Sequence, residues 1–435
     1  MRLKYSSAAG VICRRGRLQC LLATAVACAV HPAFALDQLE DTRAQIEMLR
    51  AEQTRIEELH RQTEARLRAL EARLGEQQSP PTANAPPAAV ASSAERSPLV
   101  VNGDLRLRSQ GDYSDSNARD RNSAQVRGRL GATYAMNDTV TFGARIVTGD
   151  PDDPNSTDVQ LSNFDDDLQV SLDLAYVQVN VGDLKFYGGK IPQPFTRTDL
   201  VWDSDVNPQG ASTIYKRSLA DGSAFRASGL FFIVDEAAGG ADSTMNGVQL
   251  GYDSAALGAW KLDVSAAYYD YQLGSVAGGD AGDFRSNPRA ADGRYLPDFN
   301  LGDLIVGATW AGVDERWPVR MIGDYVKNFG AATSADTGYS MDVSVGRARN
   351  RGDWRIAYGY SVAETDAVLA AFSHDNIGLG TNYRLHALTL DHVPLPKMLI
   401  SAIWYRYEPY SSAGTSPGDV GDWLDRVRLA FLVSF

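Results

Sequence analysis

From about residue 98 to the C-terminus, apolar and polar residues alternate with a period of two. Val101, Gly103, Leu105 and Leu107 interleave with Asn102, Asp104, Arg106 and Arg108. Val126, Gly128, Leu130, Ala132 and Tyr134 interleave with Gln125, Arg127, Arg129 and Thr133 in the same way, and the run from Trp354 to Val362 repeats the pattern. Such a segment is a strand with one apolar and one polar face. In a soluble sandwich the apolar face packs inward. In a membrane barrel it faces lipid and the polar face lines the lumen. Alternation alone does not separate the two.

The connections do. Sixteen strands are predicted, at 99–109, 123–136, 139–148, 168–181, 184–191, 211–217, 223–234, 245–253, 260–271, 301–311, 317–328, 338–348, 353–364, 378–393, 398–409 and 423–435. Long connections at 110–122, 149–167, 192–210, 235–244, 272–300, 329–337, 365–377 and 410–422 alternate with tight ones such as Asn137-Asp138, Gly182-Asp183 and Pro394–Lys397. An up-and-down barrel with short periplasmic turns and long external loops has this asymmetry. The expected fold is therefore all-β, a 16-stranded antiparallel transmembrane barrel over 98–435. An even strand count puts both barrel ends on the periplasmic side.

The residues before the barrel read differently. Arg2, Lys4, Arg14, Arg15 and Arg17 precede an apolar run, Cys20 to Val30, and Ala33-Phe34-Ala35. That is a signal peptide over 1–35, with an A-x-A cleavage site. Ala25–Cys28 is a poor lipoprotein box, and Arg14-Arg15 lacks the rest of a twin-arginine motif. The apolar run is about half the length a membrane-spanning helix needs. From 36 to 75 the period becomes heptad, with Leu39, Ile46, Leu49, Ile56, Leu67, Leu70 and Leu74 on one seam. Thr42, Gln53, His60 and Thr63 are the polar seam positions. This predicts a periplasmic α-helical coiled coil, hence self-association, with His60 setting register. Residues 76–97 form a Pro/Ala-rich linker, extended and semi-rigid.

Composition narrows the chemistry. The 435 residues carry 42 basic against 54 acidic side chains, a net charge of −12 that becomes −17 once the leader is removed. This excludes a general nucleic-acid binder. All three cysteines, Cys13, Cys20 and Cys28, lie in the leader. The exported chain therefore has no thiol for a disulfide, a metal or catalysis. His386 and His392 flank Asp391 near a strand end, yet no G-x-S-x-G or H-E-x-x-H motif accompanies them. No enzyme, cofactor or metal site is expected. Asp150–Asp158 supplies oxygen ligands without the glycine and glutamate of a calcium loop, and with Asp165–Asp167 it reads as a solvated external loop, the alternative being a divalent-cation site that bridges lipopolysaccharide.

The last strand carries Trp423, Val427, Leu429, Phe431, Val433 and Phe435 on one face and ends in phenylalanine. In this the chain resembles Gram-negative outer-membrane porins, whose terminal strand is read by the barrel-assembly machinery. Phe431, Val433 and Phe435 would be that assembly signal. Leader, coiled coil and barrel together look like the sucrose-type porins and the group of "putative porins". Trp260, Trp310, Trp317, Trp354 and Trp404 near strand ends suit the aromatic girdles of such a barrel. The resemblance implies a homotrimer in the outer membrane, in contact with lipid and lipopolysaccharide. It also implies that the third external loop, 192–210, folds into the lumen as the constriction. Phe195 and Trp202 would anchor that loop, and Arg197, Asp199, Asp203 and Asp205 would carry its charge.

Arg106, Arg108, Arg127, Arg129, Arg145, Arg426 and Arg428 fall on the polar faces of the first three strands and the last, which are neighbours once the barrel closes. A lipid-facing arginine at mid-membrane costs about 2–4 kcal/mol, so these must line the lumen. They are expected to oppose the loop aspartates across the eyelet. The alternative is wall charges paired with Asp104 and Asp173. The functional expectation is a porin passing small polar solutes or ions by passive diffusion and leaning toward anions. The other reading is a structural or adhesive outer-membrane barrel with a periplasmic stalk.

Overall fold

The structure, a computed structural model, describes residues 50, 61, 97–114, 120–162, 168–276, 278–279, 284–412 and 420–435. The chain divides into Met1–Ser92 and Ser93–Phe435. In the first unit Arg50 and Arg61 are helical and exposed. The signal peptide, the seven apolar seam positions and all of the linker except Ser97 lie outside the described residues.

The second unit is a closed antiparallel barrel. Its strands are β1 (Leu99–Ser114), β2 (Arg121–Ala135), β3 (Val140–Thr148), β4 (Val159–Gln160), β5 (Val170–Val181), β6 (Leu184–Lys190), β7 (Gln209–Ser218), β8 (Ala224–Asp235) and β9 (Ser243–Asp253). They continue as β10 (Trp260–Leu273), β11 (Asn300–Trp310), β12 (Val319–Asn328), β13 (Thr337–Gly346), β14 (Trp354–Ala363), β15 (Tyr383–His392), β16 (Met398–Pro409) and β17 (Leu424–Ser434). Sixteen of them form the wall, each paired with its sequence neighbour, and β1 pairs with β17 to close it. The two-residue β4 lies in the second long loop and pairs with Gln125 and Val126 of β2.

Faces sort as the alternation requires. Leu105, Leu107, Leu130, Phe142, Ile146, Leu172 and Leu429 are exposed large apolar residues on the outer surface, and their polar neighbours point into the lumen. Closure is tight at the last residue. Phe435 N–H donates to Gly103 O at 3.0 Å and Gly103 N–H to Phe435 O at 3.4 Å. A Cβ on Gly103 would sit 2.5 Å from the Phe435 ring, so glycine there makes room for the terminal phenylalanine.

Strand positions follow the predicted ones with two informative differences. β1 runs on to Ser114, so the first long loop is shorter than expected. β15 begins at Tyr383 rather than 378, because Asn382 takes a left-handed conformation (φ 54°). The residues released, Ile377 and Leu379 among them, are buried inside the barrel.

Candidate functional site

The third long loop (191–208, here L3) leaves β6 and crosses the lumen. Its first half is held at the far wall. Thr196 N–H donates to Gln249 Oε1 at 2.7 Å, and Gln249 Nε2 returns a bond to Thr196 O at 2.8 Å. The Thr198 hydroxyl donates to Asp324. Phe195 packs on Tyr269, ring centroids 5.2 Å apart. Trp202 is fully buried, stacked on Phe372 at 5.6 Å and edge-on to Tyr269 at 5.7 Å. The second half of the loop returns to the opposite wall. Asp205 accepts from Thr157 Oγ1 at 3.0 Å and meets Arg129 at 3.4 Å. Asn207 Nδ2 donates to Asp173 at 2.8 Å.

The seventh long loop (364–382, here L7) also turns inward, which the sequence reading did not anticipate. Ala367–Phe372 is buried against Trp202, Phe232, Tyr271 and Phe299. L7 docks on L3 through Asp203 N–H to Phe372 O (2.8 Å), His374 N–H to Asp199 O (3.3 Å) and Asn376 Nδ2 to Asp199 Oδ2 (2.9 Å). Side chains of the fifth loop clasp its backbone. Asn287 donates to Thr365 O and Val368 O and accepts from Ala370 N–H, all within 3.1 Å. Arg285 donates to His374 O at 2.7 Å and to Ala370 O at 3.3 Å. Asn155 of the second loop adds bonds to Ala371 O and Ser373 O. The apolar run Ala367-Val-Leu-Ala-Ala-Phe372 was the available signal, since a loop in water has no use for it.

The four expected loop charges have different fates. Arg197 is spent within L3, donating to Trp202 O and Ser204 O at 3.4 Å. Asp199 keeps surface toward the lumen. Burial, with Asp199 and Asp375 adding repulsion, pushes the Asp203 carboxyl up to about 8, so it is mainly neutral at pH 7. It accepts the Asp205 N–H at 2.7 Å. Asp205 alone of the loop aspartates meets an arginine of the wall.

The seven arginines do share one lumenal arc, on β17, β1, β2 and β3. Arg127 and Arg129 both bind Asp104, at 2.9 and 2.7 Å. Arg145 binds Asp173, which a register shift in the β3–β5 ladder beside Arg145 brings to it. Arg106 and Arg108 share Asp158, which the second loop carries inward to 3 % side-chain exposure. Arg426 takes Asp112 at 2.5 Å. Arg428 donates to Gln110 at 2.8 Å and to Asn376 Oδ1 at 3.1 Å. The arc is thus largely neutralised by pairing. In the second loop Asp150–Asp153 are exposed as expected, Asn155 and Thr157 are buried, and Asp165–Asp167 lie outside the described residues. Seven guanidinium groups face five contacting carboxylates, Asp104, Asp112, Asp158, Asp173 and Asp205. Side chains of Arg106, Arg129 and Arg145 retain 22–24 % exposure toward the lumen.

Other expected features lie on the outer surface. Phe431, Val433 and Phe435 sit on the lipid face of β17, in register with Leu107, Leu105 and Gly103 of β1. His386 hydrogen-bonds the Tyr358 hydroxyl at 2.8 Å, while His392 stacks on Trp354 at 4.0 Å. The two histidines therefore belong to aromatic clusters at different positions on the wall.

A closed sixteen-stranded barrel with an apolar exterior and a charged lumen crossed by a loop is the architecture of an outer-membrane channel. The family model described as "Putative porin" matches residues 59–285, and the chain belongs to that family. No curated protein sequence matches it. Among solved structures, OprB of Pseudomonas putida is similar at TM-score 0.54 and 11 % identity, covering 78 % of this chain and 94 % of that one. OmpF of Salmonella typhi (TM-score 0.48, 11 % identity, 78 % and 97 % covered) and the channel DcaP of Acinetobacter baumannii (0.45, 14 %, 78 % and 97 %) are more distantly similar.

Proposed function

We propose that the barrel is a diffusion channel for small polar solutes or ions, with L3 and L7 forming its constriction and the arginine arc favouring anionic groups. The observation that carries this is the path of L3, which runs from the far wall to Arg129 and Asp173 and narrows the lumen between them. The surplus of guanidinium over contacting carboxylate supports the anionic lean. Planar-bilayer recording tests the channel itself, and a barrel without stepwise current would leave the structural reading in its place. Replacing Arg127, Arg129 and Arg145 together by alanine should then move the reversal potential in a salt gradient toward cation preference. An unchanged potential would make these arginines wall structure alone.

The same reading extends to assembly. The protein is proposed to act as a homotrimer, with the coiled coil of residues 36–75 in the periplasm holding three chains together and Phe431, Val433 and Phe435 presented to the assembly machinery. The heptad seam and the porin family support this. Deleting residues 36–75 should lower the temperature at which trimers separate on gels while leaving unit conductance intact, since each barrel encloses its own lumen. Trimers of unchanged heat resistance would contradict it.

A further inference from the structure

Beside the β17 end of the arginine arc, where Arg428 lies 5.4 Å from the Tyr405 ring, L3, L7 and the inner faces of β13 to β16 enclose a recess of about 180 Å³. Its lining includes Asp199, Ser340, Asp342, His374, Tyr383 and Tyr405, and no lysine or arginine among the described residues. Asp342 is exposed to the lumen and has no hydrogen-bond or ion-pair partner among the described residues. Its carboxylate leans over Gly359, where a Cβ would come within 2.5 Å of Oδ1. Any other residue at 359 would crowd that carboxylate.

Three further side chains built into the recess, His374, Ser340 and the fully buried Tyr383, have polar atoms without hydrogen-bond partners. His374 is 2 % exposed and neither ring nitrogen has a hydrogen-bond partner. Ser340 is 9 % exposed and its hydroxyl is likewise unpartnered. Buried polar atoms are normally satisfied, so these are places kept for a ligand atom or water. Burial, with Arg285, Arg428 and Arg426 adding repulsion, holds His374 down at about 3, so the imidazole is neutral and offers one acceptor nitrogen. Asn376 stands between the recess and Arg428. Asp199 gives one oxygen to Asn376. Surrounding loop atoms desolvate its carboxyl and push it above the ordinary range, and an arriving cation would favour its charged form.

We propose that this recess binds the ammonium group of a small amine-bearing solute, with Asp342 as counter-charge and Ser340, Asp199 and His374 accepting its N–H bonds. An ammonium carries three donors and no acceptor, which matches the acceptor atoms of Asp342, Ser340, Asp199 and His374. The volume leaves room for the ammonium head and a short stem.

The inference rests on the channel reading for how the solute arrives, so binding and conduction are measured separately. Full-length protein in detergent is titrated with ethanolamine by saturation-transfer NMR, with ethylene glycol as the uncharged comparison. Wild type should transfer saturation to ethanolamine and not to ethylene glycol. Asp342→Asn should weaken ethanolamine binding at least about tenfold, as loss of a charged hydrogen-bond partner does. Ser340→Ala, which removes one hydroxyl and carries little folding risk, should weaken it by a smaller factor. Heat-modifiable gel mobility checks that both variants are folded. No transfer to ethanolamine in wild type, or equal affinity in both variants, overturns the proposal. Binding without bilayer current would overturn the channel reading and leave the recess standing.

Discussion

Replacing Trp202 by alanine is expected to raise single-channel conductance and lower the thermal stability of the barrel. The indole is fully buried between Phe372 of L7 and Tyr269 of the wall, with Phe232 and Tyr271 also within 6.4 Å. Removing a buried aromatic of this size costs about 3–5 kcal/mol. Here the loss falls on the contact that joins both inward loops to the wall. Trp202→Phe keeps part of the stack and should fall between wild type and alanine in both measurements. Conductance unchanged in Trp202→Ala would mean that the loops hold their place through hydrogen bonds alone.

The second large effect is expected at Asn287, outside the constriction itself. Its side chain satisfies two carbonyls and one N–H of L7. Alanine would strand all three in a region closed to water, at about 1–3 kcal/mol for each group left bare. L7 should then detach for part of the time, seen as frequent current fluctuations and faster proteolytic cutting between 364 and 382. Asn287→Asp retains the acceptor for Ala370 N–H but loses both donors, so its fluctuations should be intermediate. A steady current in Asn287→Ala would show that Arg285 and Asn155 suffice.

The wall of this barrel could be read from the chain because lipid and water impose a period of two on every strand. Even Gln209–Ser218, short and weakly patterned, could be placed from the rhythm of its neighbours. The interior was harder. Leu230, Phe232, Met245, Tyr269, Tyr271, Leu301 and Val326 point inward and are apolar, against the rule for a water-filled lumen. They do so because L3 and L7 cover them. Phe231-Phe232-Ile233-Val234 and Tyr268-Tyr269 are therefore apolar on both faces, a local break in alternation that marks where a loop must dock. The arginine arc was legible by position but its pairing was only partly so. Asp104 and Asp173 are close in register, whereas Asp158 and Asp205 arrive from loops whose course depends on the whole fold.

The Gly103–Phe435 seam sets an order in time. Every other wall strand finds its partner within the next stretch of chain, but β1 has one edge that stays open until the final residue has been delivered. Until then both edges offer unpaired N–H and C=O groups to any passing strand, and the closing contact spans the greatest separation along the barrel sequence. Closure therefore comes last in biogenesis. A nascent chain stopped short of β17 remains an open sheet, however complete its other pairings, and depends on whatever shields its two edges.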